Sequence, residues 1–409
     1  MLNTDSIAFL CHPYHRGGVT RWMADAAIAL SEQGQKVYFI TISPVKEFFS
    51  AKGRETLLQL LGKSANTVKI ISEPAGNEFE FGTPEYRAWI YKKLIVRLPQ
   101  GTPVILSDDH AVWEAATCLH SNYPVVGVLH ADENHYYDLA EKYHSKVDLF
   151  ACVSERVKHI AIKRIPEYDP AKIVTIPCGI HLPAVMAAEK TNDTLKLVFV
   201  GRISEYQKRA GDLIKIAVLL EEKAVKFSLH IIGDGNLKPS LEKQVEEKGL
   251  QAHVKFPGWL SQQEVANYLS GSDILLLTSD FEGTPIAMME ALAAGCGMVG
   301  TRVSGIEDYE NHSLAKDCLG VYQTGDIEGA ITRIKIIAAI PHKIRQESAR
   351  RMAETEFSMD VCLKRYLAAM HNLIWHPARM PAISLSSKQL LYSKIIAAAR
   401  YMKIRFSMR

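Results

Sequence analysis

No Cys-x2-Cys pair occurs in this 409-residue chain, and its seven cysteines (Cys11, Cys118, Cys152, Cys178, Cys296, Cys318 and Cys362) are scattered and odd in number. That pattern speaks against a disulfide framework or a structural zinc and for a reducing compartment. No apolar run reaches the length of a bilayer span, and the chain opens with only the short apolar run 7–11. Neither a membrane-spanning helix nor a secretory signal is therefore expected. Gly17 and Gly18 lack the G-x-G-x-x-G spacing, which leaves a dinucleotide reading weak. No Asp-x-Asp stands in a suitable loop, so a bound metal is not required. Asp and Glu are missing altogether from 361 onward, where Lys364, Arg365, Arg379, Lys388, Lys394, Arg400, Lys403, Arg405 and Arg409 lie. The net charge of +3 thus conceals an acidic body and a basic tail. That tail carries no motif for reading bases, and a nucleic-acid partner is not expected.

What is present is an alternation of short apolar strands and helices. The length suffices for two domains, and the composition is that of a globular protein. Residues 6–11 read as a buried strand, followed by the loop HPYHRGG, a helix at 19–32 and a strand at 36–42. This unit opens a doubly wound parallel sheet. Further strands are expected at 68–72, 104–107, 125–129 and 149–153, and a linker at 181–194. A second alternating unit follows, with strands at 197–200, 227–232, 254–256, 274–277 and 298–300. Each polar loop follows a strand, so all can face one cleft.

The stretch ILLLTSDFEGTPIAMME, 274–290, organises the second unit. Four uniformly apolar residues make a buried strand of a parallel sheet. Thr284 then reads as N-cap and Pro285 as the first helical residue, with the helix running over 285–294 to Gly295. Its free N–H groups would face the crevice, where an anion is well bound. Glu282 stands before that helix and Glu290 about two turns inside it, which suits two separated parts of one extended ligand. Taken alone, the two carboxylates read more simply as a loop charge and a solvated helix residue; the strand, the loop, Gly283, Thr284, Pro285 and Gly295 together favour the ligand reading.

Arg202 follows a strand directly and Lys208 precedes the next helix. Together they could grip a diphosphate, the first by a planar fork and the second as a point charge. His130 ends the strand 125–129; His110 follows another strand and is a weaker candidate.

The segment FEGTPIAMMEALAAG resembles the E-x7-E signature of retaining glycosyltransferase family 4, enzymes of the GT-B fold. The resemblance implies an α/β protein of two Rossmann-like domains facing a cleft: an acceptor-side domain over 1–185, a nucleotide-sugar donor domain over 195–357, and helices over 358–409 that return to the first domain. It assigns Glu282 to the transferred sugar, Glu290 to the donor ribose, and Arg202 and Lys208 to the donor diphosphate. Thr284, Pro285 and Ile286 join the diphosphate site through the helix start, and Gly17 and Gly18 approach the donor phosphates or the acceptor. His130, in VVGVLHAD, lies beside the transferred sugar. Gly258, Trp259 and Leu260 match the turn that meets the base, although Trp259 also reads as core. The landmarks ACVSER (151–156) and IPCGI (176–180) recur, the second with Cys178 where the family has Asn. Arg209 stands where the family commonly has Gly and reads as a rim charge.

The activity so implied is retaining transfer from a UDP- or GDP-sugar to a glycan or lipid-linked acceptor, without cofactor or metal, in the cytoplasm and in cell-surface polysaccharide or lipopolysaccharide synthesis. A nucleotide-sugar epimerase of the same fold and a non-catalytic sugar-nucleotide-binding protein are the alternatives. In the tail, Leu391, Ile395, Ala398 and Met402 form one helical stripe among basic residues. Two readings stand: a surface helix on anionic lipid, or a helix packed back on the first domain.

Overall fold

The structure is a computed structural model that describes residues 5–11, 18–44, 61, 68–75, 79, 81–107, 110–119, 122–183, 194–373 and 385–407. Two sheets, parallel at every pairing, carry the chain. The first has seven strands in the order β3-β2-β1-β4-β5-β6-β7 and the second six in the order β10-β9-β8-β11-β12-β13. In the first, β1 is Ser6–Leu10, β2 Lys36–Pro44, β3 Val68–Ala75, β4 Val104–Leu106, β5 Val125–Leu129, β6 Leu149–Cys152 and β7 Ile173–Thr175. In the second, β8 is Leu195–Val200, β9 Phe227–Ile232, β10 Val254–Gly258, β11 Ile274–Leu277, β12 Gly297–Thr301 and β13 Leu319–Tyr322. Central strands such as β1 and β11 are buried at every position. Helices covering both sheet faces leave no side of these strands to water, which is why their sequences do not alternate.

The edge strands β7 and β13 are absent from the sequence reading. β7 has only three residues, two of them half-buried, too short a run to show a period. Helix starts are better marked. Thr83, Ser154 and Ser358 each accept a backbone N–H three residues on, and Ser261 and Glu264 close a capping box. Each such cap is worth ~1 kcal/mol.

One buried apolar cluster runs from the first domain (Trp22, Val128, Val153) into the second (Leu277, Met288, Ile306) and on to Cys362 and Tyr366 near the C-terminus. The domains therefore share a core where they meet. The chain crosses back at Ser358: Ile180 and Met359 exchange backbone bonds with Phe357 and Ile180, at 2.8 and 2.9 Å. The helix Met359–His371 then lies on the helix Gly18–Glu32, with Tyr366 beside Trp22 at 5.8 Å between rings. This is the expected return to the first domain.

Candidate active site

β8 and β11 are neighbours in the second sheet, and the strand order reverses between them. Loops leaving adjacent strands on opposite sides of such a reversal part from each other and open a crevice at the carboxyl ends. Arg202 and Lys208 leave β8; Glu282 leaves β11. The Arg202 backbone is held by the turn after β9, where a Cβ on Gly233 would lie 1.9 Å from the Gly201 carbonyl oxygen. Ile203 N–H completes that contact by donating to the Asp234 carbonyl at 2.9 Å.

Glu282 is buried, and its Oε1 accepts from Lys208 Nζ at 2.5 Å and from Ser279 Oγ at 2.6 Å. Thr278 pins the Lys208 backbone by donating to its carbonyl at 2.7 Å. On either side of Lys208, Gln207 and Arg209 have φ of 68° and 43°. Left-handed backbone at two successive non-glycine flanks is uncommon and is found where surrounding contacts over-determine it. Arg209 thus takes the conformation that suits the Gly expected there. Its guanidinium pairs with the buried Asp212 at 2.8 Å and with Asp280 at 3.4 Å, so the rim charge of the sequence reading is a paired cation that braces the loop. Arg202, by contrast, is exposed and, among the described residues, has no side-chain partner.

The opposite wall comes from the first domain. A Cβ on Gly283 would lie 1.9 Å from the His130 carbonyl oxygen, so only glycine lets the two domains approach this closely. Asp132 N–H donates to the Glu282 carbonyl at 2.9 Å, and Thr284 Oγ1 donates to the Val153 carbonyl. Thr284 is therefore an interdomain bridge and not the expected N-cap. Pro285 (φ −64°, ψ 121°) occupies the cap, and the helix is Ile286–Ala293. The first intrahelical bond runs from Met289 N–H to the Pro285 carbonyl, which leaves the N–H groups of Ile286 and Ala287 without an intrahelical acceptor.

His130 is buried, with Nε2 2.9 Å from Ser107 Oγ and Nδ1 3.9 Å from Cys178 Sγ. Burial pushes the Cys178 thiol well above its ordinary pKa, so it stays neutral. His110 packs edge-on against His135 and does not line the cavity. Gly18 abuts Ile286, and Gly17 lies outside the described residues.

One cavity of about 560 Å³ is lined by Gly18, His130, Arg202, Lys208, Glu282, Thr284, Pro285, Ile286 and Glu290 together, a size that suits a nucleotide-sized ligand. Glu290 is half-buried there; burial raises its carboxyl pKa, and Arg21 of the first domain and a bond from Gln262 lower it in part. A second cavity shares Arg202 and reaches Trp259 and Leu260; Gly258 does not line it. Trp259 is 80% exposed, which corrects its reading as a core residue. Sequence reasoning missed Glu133, Tyr136 and Gln207, which also line the main cavity, and Ser279, which holds Glu282. Glu133 sits three residues beyond His130 on the same strand-end loop, a signal that was there to use. Its carboxylate accepts from the Tyr206 hydroxyl at 3.2 Å.

Residues 186–351 match the family model for glycosyl transferases group 1, and residues 16–183 that for Glycosyltransferase Family 4. Among curated proteins, the chain is 29% identical over 194 residues to the amylovoran biosynthesis glycosyltransferase AmsK of Erwinia amylovora, covering 44% of this chain and 45% of that protein. It is 28% identical over 221 residues to the lipopolysaccharide 1,6-galactosyltransferase of Escherichia coli, covering 51% and 58%. The chain thus spans about half the length of the curated relatives it matches. Among solved structures, a glycosyltransferase from Rickettsia africae superposes with a TM-score of 0.69 at 18% identity, over 89% of this chain and 97% of that one. Anabaena HepE in complex with UDP and glucose superposes with a TM-score of 0.67 at 15% identity, over 90% and 99%. These likenesses show the fold, which is GT-B.

Proposed function

The chain belongs to glycosyltransferase family 4, and from that premise we propose that it moves a sugar from a nucleoside-diphosphate sugar to a hydroxyl of a glycan or lipid-linked acceptor, with retention and without a metal ion. The observation that carries this reading is the meeting of Lys208, Glu282 and Arg202, from two loops flanking a strand-order reversal, in one cavity closed by the first domain. Glu282 beside two cations suits a ligand with a hydroxylated sugar and a diphosphate.

In this reading Arg202 and Lys208, with the N–H groups of Ile286 and Ala287 and the helix start at Gly18, hold the diphosphate. The bond from the anomeric carbon to the phosphate oxygen breaks as positive charge builds on the sugar, and the cations take up the charge on the departing oxygen. Glu282 orients the sugar hydroxyls, Glu290 accepts from the ribose, and the base lies toward Trp259 and Leu260. The acceptor hydroxyl attacks from the same face, and its proton goes to the leaving phosphate oxygen. His130, its ring fixed by Ser107, stands at the sugar's edge.

Double displacement would instead need a carboxylate nucleophile on the far face of the sugar. Glu282 is engaged by Lys208 and Ser279, and Glu133 by Tyr206. A sugar covalently trapped on Glu133 would sink the same-face mechanism. The name of HepE's complex, with UDP, supports a uridine donor; the relatives' names support a place in surface-polysaccharide synthesis.

The test is a panel of UDP-, GDP- and ADP-sugars scored by thermal stabilisation, because a ligand that binds only the folded state raises its apparent stability. One sugar nucleotide is expected to stabilise the protein and to donate sugar in the presence of EDTA. An isomeric nucleotide sugar formed without acceptor would overturn the reading in favour of an epimerase.

A further inference from the structure

The helix Ser387–Ser407 lies beyond both family matches, the later of which ends at 351. It is attached to the first domain by one face. Ser393 and Ala397 are buried; Ser393 Oγ accepts Thr83 N–H at 3.2 Å. Arg400 Nη1 donates to the Phe81 and Gly82 carbonyls at 3.2 and 3.1 Å, and Tyr401 lies against Phe81 at 6.2 Å between rings. At roughly 100° per residue, Ser393, Ala397 and Arg400 share one side of the helix and Leu391, Ile395, Ala398 and Met402 the opposite side. Packing on the domain therefore does not cover the apolar stripe. Leu391, Ile395 and Met402 are 59, 58 and 56% exposed. On the same helical wheel Lys388 and Lys394 flank the stripe on its two sides, Lys403 lies about 60° beyond Lys388 toward the attached side, and no acidic residue occurs from 361 to the end.

The attachment point gives this face a direction. Phe81, Gly82 and Thr83 precede the helix Pro84–Ile95, the one that follows β3, the outer strand of the first sheet. In a parallel sheet such a helix starts near the carboxyl end of its strand, the end at which the cavity loops also lie.

We propose that the outward face of this helix seats the protein on an anionic bilayer surface, with Leu391, Ile395 and Met402 entering the boundary between headgroups and acyl chains and the three lysines against anionic headgroups. A shallow apolar stripe or a few lysines alone bind a membrane weakly; both on one face give two signals. A second copy packed stripe to stripe would bring two lysine flanks together with no acid to pair them, whereas anionic lipid neutralises them. The seat places the acceptor side of the cavity near the lipid, a consequence that rests on the transferase reading; the seating itself does not.

The test is flotation of the full chain with vesicles of phosphatidylcholine alone and of phosphatidylcholine mixed with phosphatidylglycerol, at low and high salt. Binding is expected only with phosphatidylglycerol, and to weaken with salt. Replacing Lys388, Lys394 and Lys403 by Gln is expected to lower affinity roughly five-fold per lysine. The pair Ile395→Asp and Met402→Asp is expected to abolish flotation while leaving the melting temperature and stabilisation by UDP as in the parent. Equal flotation on neutral vesicles, no flotation, or variants that float like the parent would overturn the proposal. So would a dimer that Ile395→Asp dissociates, since a second copy would then own the stripe. Flotation needs no donor, so a donor panel that fails while flotation holds removes the transferase reading alone.

Discussion

Lys208 Nζ lies 2.5 Å from Glu282 Oε1, although 74 residues separate them and they leave different strands. The ammonium is paired with a carboxylate, while Arg202 beside it has no such partner among the described residues. An incoming diphosphate would therefore meet Arg202 first and compete with Glu282 for Lys208.

On the proposed reading, Glu282→Ala releases Lys208 to the phosphate and removes the group that orients the sugar. The expected result is a fall in turnover of about 100-fold or more, the scale on which single transition-state contacts act, with nucleoside-diphosphate affinity kept or tightened. Steady-state kinetics beside calorimetric titration checks it; unchanged turnover would remove Glu282 from the chemistry.

Glu290 gives a pH dependence whose sign follows from burial. Its pKa is raised in the folded protein. A carboxyl group of that kind favours folding while protonated, and its contribution is lost as pH rises through the raised value. Glu290→Gln, neutral throughout, is expected to melt higher than the parent at pH 7 and to converge with it below the ordinary carboxylate value of about 4. On the proposed reading the same variant loses a charged acceptor for the ribose and is expected to bind nucleotide about ten-fold more weakly. Melting curves at a series of pH values decide the first part, and a gap that does not change with pH would contradict it.

Gly283 is one of the points at which the domains touch at the site. Gly283→Ala would drive a Cβ into the His130 carbonyl and the Val153 side chain, and relief requires the domains to part. A loss of roughly 1–3 kcal/mol is expected, the cost of overpacking, together with a larger radius of gyration in solution scattering. An alanine variant with parental scattering and stability would show that the closure tolerates a methyl group.

Arg345 and Asp273 form a buried pair at 2.7 Å beneath the second sheet, with Asp273 also accepting Lys196 N–H and Arg345 donating to the Ile337 and Ile340 carbonyls. Removing one partner leaves the other buried and unpaired, a loss of about 3–5 kcal/mol. Arg345→Ala should lower the urea midpoint accordingly while the folded fraction binds donor as before.

Much of the fold was legible where both faces of a strand are covered, because runs such as IAFL and ILLL, short and bounded by polar loops, fit a buried strand better than a buried helix. Edge strand β7 was not, since three residues, two of them half-buried, are too few for a pattern; β13, LGVY, is buried throughout but was missed as well. Glu282, Arg202 and Lys208 could be read because each follows a strand and a parallel sheet sends all such loops one way. What the sequence could not show was closure across the domains. Nothing local tells that Thr284 bonds Val153 instead of capping its own helix or that Trp259 faces solvent. Those outcomes depend on residues more than a hundred positions away or on backbone angles that side-chain type does not fix.

The most direct test of the account is a calorimetric titration of the nucleoside diphosphate chosen by the donor panel, and of the matching nucleoside, into the parent, Arg202→Ala and Lys208→Ala. The expected result is a ten- to hundred-fold loss for the diphosphate in each variant, the scale of a charge-assisted hydrogen bond, with the nucleoside unaffected. Diphosphate affinity equal to the parent's in both variants would mean that these two cations do not share one pyrophosphate.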